Sequence, residues 1–168
     1  MPGRMVFILA LPYHSNIFFM IKIFFLSLIT ITHVLKAVSQ NDSDAIIGLW
    51  MSSENNLEVE IFKAVDQYNA RVVWIDDSND KSRPMNERRD KNNPDEKLRN
   101  RKIIGLEVMY GLTYDPEQNE WNNGKIYDPD SGKEWNAKAW LTKDGILKVR
   151  GYWNFEFIGK WISFKKTR

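Results

Sequence analysis

The sequence predicts an all-β protein, a small antiparallel up-and-down barrel of about eight strands with one short helix in the 77–102 connection. Three observations carry that expectation. Apolar and polar residues alternate with period two over eight short stretches, most links between them are brief and rich in Asp, Asn, Pro and Gly, and no long helical period occurs after residue 40. An even number of strands in simple succession favours closure, which removes the exposed edges that an open sheet leaves. An open sandwich is the alternative architecture.

The first segment in the chain is of a different kind. Met20 opens MIKIFFLSLITITHVLKAVSQ, in which Lys22 is followed by the apolar run Ile23 to Leu35 and by Ala37-Val38-Ser39. A basic start, an apolar stretch of that length and small residues before a cut site predict a signal peptide over 1–39, cleaved after Ser39, with Met20 as an alternative start. The rival is an uncleaved anchor over 17–35, which Lys22 interrupts and which is short beside the roughly 20 apolar residues of a membrane span. Either reading predicts an exported protein, periplasmic or secreted, with residues 40–168 as a single domain and no membrane span left after cleavage.

The strands then follow in order. IIGLWMS (46–52), LEVEIFKA (57–64) and NARVVWID (69–76) come first; in the second, Leu57, Val59 and Ile61 face opposite to Glu58 and Glu60. After the long connection come IIGLEVMYGL (103–112), EWNNGKIYD (120–128), EWNAKAWLTK (134–143), ILKVRGYWNF (146–155) and GKWISFKK (159–166). In the sixth, Trp135, Ala137, Ala139 and Leu141 share one face, and YDPEQNE, DPDSGK and KDG read as hairpin turns.

Within the connection, DKNNPDEKLRNRK (90–102) predicts a capped helix from Pro94 to Asn100, with Asn93 as N-cap, Pro94 at the first position and Glu96 completing a variant capping box. Its basic C-terminal end complements the helix dipole, and Leu98 is its expected anchor on the barrel. Basic and acidic side chains interleave along 77–102, which favours a solvated, self-paired surface over a nucleic-acid patch. The bland reading is a structural plug or ordered connection; the functional one is a mobile lid whose Arg99 and Arg101 grip an anionic group.

Composition excludes much chemistry. The chain has no cysteine, and its two histidines, His14 and His33, precede Gln40. A domain running from Gln40 therefore has no Ser-His-Asp triad, Cys nucleophile, His/Cys zinc site or disulfide. Arg4, Lys22 and Lys36 are the only charged residues before Gln40, leaving 21 basic against 22 acidic after it, a net of −1. No strongly positive field remains to attract nucleic acid. All seven Trp residues lie after Gln40 and supply large apolar area.

Four weaker patterns have ordinary structural readings. Asp128-Pro129-Asp130-Ser131-Gly132 begins like a calcium loop, but its glycine comes one residue early and no glutamate follows at the twelfth position, so a hairpin turn is expected. Asp76, Asp77, Ser78, Asn79 and Asp80 lack a spaced ligand set and read as a solvated loop start. No metal or cofactor is expected. Glu58 and Glu60 share a strand face, where paired carboxylates are more often a wet surface than a glycosidase-type acid and base. Trp74, Trp121, Trp140 and Trp153 are read as core residues first and cavity lining second, while alternation points Tyr127, Arg150 and Tyr152 into a lumen.

Several segments together resemble a bacterial family of exported proteins known as domain of unknown function 2147. They are GLW (48–50), VVW (72–74), DKNNPDEKLRNRKIIGLEV (90–108), GKIYDPDSGK (124–133), KVRGY (148–152) and a Gly-x(4)-aromatic ending at Gly159 to Phe164. Gly48-Leu49-Trp50 also resembles the G-x-W signature that opens lipocalin-like barrels. The resemblance implies a lipocalin-like barrel and implies little about activity. The closing strand departs from the pattern, with Phe164 and Lys166 where a Trp and an Arg are usual and Lys160 for another Arg. The function expected is non-enzymatic binding of a small apolar or amphipathic ligand. A filled barrel that meets an envelope protein partner is the alternative, and a carboxylate-based hydrolase is a third.

Overall fold

The computed structural model describes residues 42–153 and 159–168. The predicted signal peptide and the last two residues of the seventh predicted strand lie outside these. Eight antiparallel strands form one closed barrel in which each pairs with its chain neighbours and β1 pairs with β8. They are β1 (Gly48–Ser52), β2 (Leu57–Ala64), β3 (Gln67–Ile75), β4 (Glu107–Asp115), β5 (Glu120–Asp128), β6 (Lys133–Leu141), β7 (Ile146–Tyr152) and β8 (Gly159–Lys166). The up-and-down order follows from the links, since turns of a few residues join only antiparallel neighbours.

One end is packed solid. Trp50, Ile61, Tyr68, Leu112, Trp121 and Leu147 are all nearly or fully buried there together with Ile46. A turn at 42–47 seals this end: the Trp50 indole donates to the Ile46 carbonyl at 2.8 Å and the Trp121 indole to the Ser43 carbonyl at 2.9 Å. Asp44 in the same turn accepts from Tyr68 at 2.6 Å and from Lys63 at 2.8 Å. Buried Trp and Tyr need partners for their polar ends, and the turn provides them. Gly48 is required here, because its φ of +136° suits glycine alone and a Cβ would run into the Arg168 carbonyl. On the closing strand, Lys166 places its ammonium 5.4 Å from the centre of the Trp50 ring, so a lysine supplies the cation–π contact at that departure from the family pattern.

The predicted helix over 94–100 is not formed. The 76–106 connection holds two single 3-10 turns, Met85–Glu87 and Glu96–Leu98, and the second is capped by Asp95, which accepts from the Lys97 amide at 3.0 Å. Asn93 is buried and its side-chain oxygen accepts the Asp95 amide at 2.9 Å, as a local cap does, yet no helix follows, and Leu98 is 40% exposed rather than an anchor. The fourth strand starts at Glu107, not Ile103, because the Ile103 amide bonds to Arg88 and the Leu106 amide turns back to Ile103.

Candidate functional site

The other barrel end is open. Gly124, Ala137 and Gly151 stand side by side on β5, β6 and β7, a row of small residues on the inner face. Leu112 fills the space over Gly124, but Gly151 meets only Ile126 and Trp135 and opens onto a cavity of about 1180 Å³. Leu57, Val72, Val108, Ile126, Trp135 and Val149 form its walls. Ile162 pairs with the inward-facing Val149 yet is 44% exposed, which marks the interior at its height as hollow.

The mouth is charged. It collects the β1–β2 turn (Glu54), the end of β3 (Asp76), the β5–β6 turn (Asp128, Asp130) and Lys160 on β8. Across it runs a strap, residues 82–91, contributing Arg83, Glu87, Arg88, Arg89 and Lys91. Arg83 pairs with Asp80 at 2.6 Å. Arg88 is half-buried and donates from Nε to the Arg83 carbonyl at 3.1 Å and from Nη2 to the Asp76 carbonyl at 3.4 Å.

Asp90 pins the strap. Its carboxylate is fully buried and accepts from the Tyr127 hydroxyl at 2.6 Å, the Asn93 amide at 2.8 Å and Arg101 Nε at 2.7 Å. Asn93 also donates to the Tyr127 oxygen at 3.0 Å, and Asn92 donates to the Asp130 carbonyl at 2.6 Å. Burial pushes the Asp90 carboxyl up, but the three donors outweigh it and hold it below the usual aspartate value. Tyr127 is pushed above the usual phenol value by burial and by its bond to Asp90.

The structure brings three of the seven sequence-predicted site residues to the cavity: Tyr127, Tyr152 and Trp153. Arg101 faces Asp90 and stacks 5.5 Å from the Tyr127 ring centre, and Arg99 donates to the Asn93 carbonyl and to Glu96. Both arginines knit the connection to itself instead of facing the cavity. Trp74 pairs in register with Glu58, and Arg150 with Trp161 and Lys138; none of these lines the cavity. Sequence reasoning missed Arg88 and Arg89, whose adjacency just after Pro84 was a visible signal, and Trp135, which alternation had already placed with Ala137 and Ala139. Glu58 accepts from Thr167 at 2.7 Å and Glu60 pairs with Arg71 at 2.8 Å, both away from the cavity lining.

No group of three or more metal-ligating side chains occurs among the described residues. No described helix is long and apolar enough to cross a membrane.

Comparison with known proteins agrees with the barrel fold. The profile of a family described as "Uncharacterized protein conserved in bacteria (DUF2147)" matches residues 48–166. A solved structure, described as "Protein HP1028 from the human pathogen Helicobacter pylori belongs to the lipocalin family", superposes with a TM-score of 0.62 at 22% identity, over 73% of this chain and 83% of that one. That likeness shows a shared lipocalin-like fold. No curated protein matches.

Proposed function

This chain belongs to that bacterial family of uncharacterized proteins, and from that premise we propose that it is an exported, non-enzymatic barrel that holds a small apolar or amphipathic ligand in its open half. The observation that carries the reading is the cavity: about 1180 Å³, apolar on its walls and charged only at its mouth. Ligand pockets in proteins span roughly 300–1,000 Å³ and combine apolar walls with a few polar groups, so this one, open at its mouth, is slightly larger than that range. A filled barrel meeting an envelope partner is the weaker alternative, because the aromatics at the open end, Tyr127, Trp135, Tyr152 and Trp153, line the cavity without filling it.

Of the described groups with a shifted titration, only Asp76 and Tyr127 line the cavity. The Lys63 ammonium holds Asp44 below the ordinary aspartate value, the Ser78 backbone N–H does so for Asp76, and the Ser82 hydroxyl for Asp80. Burial pushes Tyr68, Tyr110, Tyr114 and Tyr127 up, Tyr110 to about 12. Every one of these shifts moves away from neutrality, where a general acid or base works best.

Export is part of the proposal and rests on Lys22, the apolar run Ile23–Leu35 and Ala37-Val38-Ser39. The protein purified from its own cell envelope is expected to begin at Gln40 and to carry a small-molecule adduct in native mass spectrometry. Finding the protein in the cytoplasm with His33 retained would remove the export half. An adduct-free protein that also leaves a neutral naphthylamine fluorophore unbound would remove the binding half.

A further inference from the structure

We propose that the open end selects amphiphiles with an anionic head, anchored by Arg88 and flanked by Arg89 and Lys91. This deepens the binding reading above and rests on it. The mouth carries Arg83, Arg88, Arg89, Lys91 and Lys160 against Glu54, Asp76, Glu87, Asp128 and Asp130, a formal balance that hides an asymmetry.

The carboxylates are mostly spent on their own turns. Asp128 accepts from the Asp130 amide at 3.0 Å and the Ser131 hydroxyl at 2.7 Å. Glu54 accepts from the Asn56 amide at 3.0 Å, and Asp76 from the Ser78 N–H at 2.9 Å. Glu87 and Asp130 are exposed, where water and salt screen them.

Among the described residues, the cations are less engaged. Arg83 alone is ion-paired, and Arg89 and Lys91 make no ion pair. Arg88 is the one placed to matter, since it is half-buried and donates only to two neutral carbonyl oxygens. A guanidinium carries five N–H donors in a planar fork that fits a carboxylate, sulfate or phosphate bidentately. Asp76 lies within electrostatic reach of Arg88 but makes no ion pair with it. A charge so placed, above apolar walls and with no carboxylate in direct contact, is matched by a ligand with an apolar tail and an anionic head.

The test uses the folded domain and displacement of neutral N-phenyl-1-naphthylamine by four amphiphiles sharing a dodecyl tail: dodecanoate, dodecyl phosphate, dodecanol and dodecyltrimethylammonium. The two anions are expected to compete about tenfold or more better than the alcohol, the advantage shrinking at high salt. Arg88→Gln should abolish that advantage, read as the ratio of anion to alcohol affinity within the variant itself, so that any general change in binding cancels. Since Arg88 also bonds to the strap's carbonyls, the exposed pair R89Q/K91Q serves as a second variant and should cut the anion preference severalfold. A preference for carboxylate over phosphate, or the reverse, identifies the head. If alcohol and cation compete as well as the anions, this inference fails and the cavity reading stands. If the fluorophore binds and no amphiphile displaces it, this inference fails alone; if it does not bind and the purified protein carries no adduct, both fail.

Discussion

A carboxylate without solvent is costly unless donors surround it, and Asp90 meets that cost with three side-chain donors and a buried location. Replacing it with Asn keeps the shape but loses the charge-assisted bonds, so D90N should cost about 1–3 kcal/mol in urea unfolding. The pH dependence has a definite sign. The folded-state value lies below the ordinary 3.8, so this contribution is complete above the unfolded value and is lost as pH falls through the folded one. The stability gap between wild type and D90N should therefore be constant near neutrality and close below about pH 4. A gap that widens on acidification would refute the role of the charge. Gly132 is the second residue to watch, with φ of +67° and no room for a Cβ against the Asn92 carbonyl. Gly132→Ala adds left-handed strain of about 1–2 kcal/mol and must also shift the strap, so fluorophore affinity and stability should fall together. Gly132 was legible as a turn glycine, though not its close approach to Asn92, and the role of Asp90 was not legible. Asp90 sits in a charged run that reads as solvated, and its partner Tyr127 is 37 positions away with no local pattern to link them.

The elements divide sharply by how local their causes are. Period-two alternation identified all eight strands, and β2, β5 and β8 run over the predicted residues, because half-buried strands carry their environment in every second residue. The helix over 94–100 failed for the opposite reason. The N-P-D-E pattern caps locally, since the Asn93 side-chain oxygen accepts the Asp95 amide at 2.9 Å, but the Asn93 carbonyl that a helix would offer to the Lys97 amide accepts from the Arg99 side chain at 2.8 Å, and Lys97 donates to Asp95 instead. What remains is the single turn Glu96–Leu98 with an exposed Leu98. This exchange of anchors is measurable. Leu98→Ala should change stability by less than about 0.5 kcal/mol, as surface substitutions do. Asn93→Ala, which strips buried donors from Asp90 and Tyr127, should cost about 1–3 kcal/mol. Equal costs, or a larger one for Leu98, would mean that the connection is held by apolar packing after all.

At the scale of the molecule the barrel is asymmetric, and the asymmetry separates stability from binding. The closed end holds the fully buried Leu112 and Trp121, while the open end has the small residue Gly151 facing the cavity and Ile162 partly wetted. Sequence alternation gave the inward face of each strand but not whether the inward volumes fill the barrel, because hollow and solid interiors differ by a few side chains spread over distant strands. Truncation at the closed end should act through packing: Leu112→Ala creates a cavity and should cost about 2–5 kcal/mol, with little effect on fluorophore affinity in the protein that remains folded. Enlargement at the open end should do the reverse. Ile162→Trp adds an indole to space that is already open, so the overpacking penalty of a dense core does not apply and stability should stay within about 1 kcal/mol of wild type. The same indole occupies volume a ligand tail would need, so fluorophore binding should weaken tenfold or more. Urea midpoints and fluorophore titrations on the two variants decide the matter. Should Ile162→Trp unfold the protein while Leu112→Ala is tolerated, the packed and hollow ends have been assigned the wrong way round, and the binding reading loses its site.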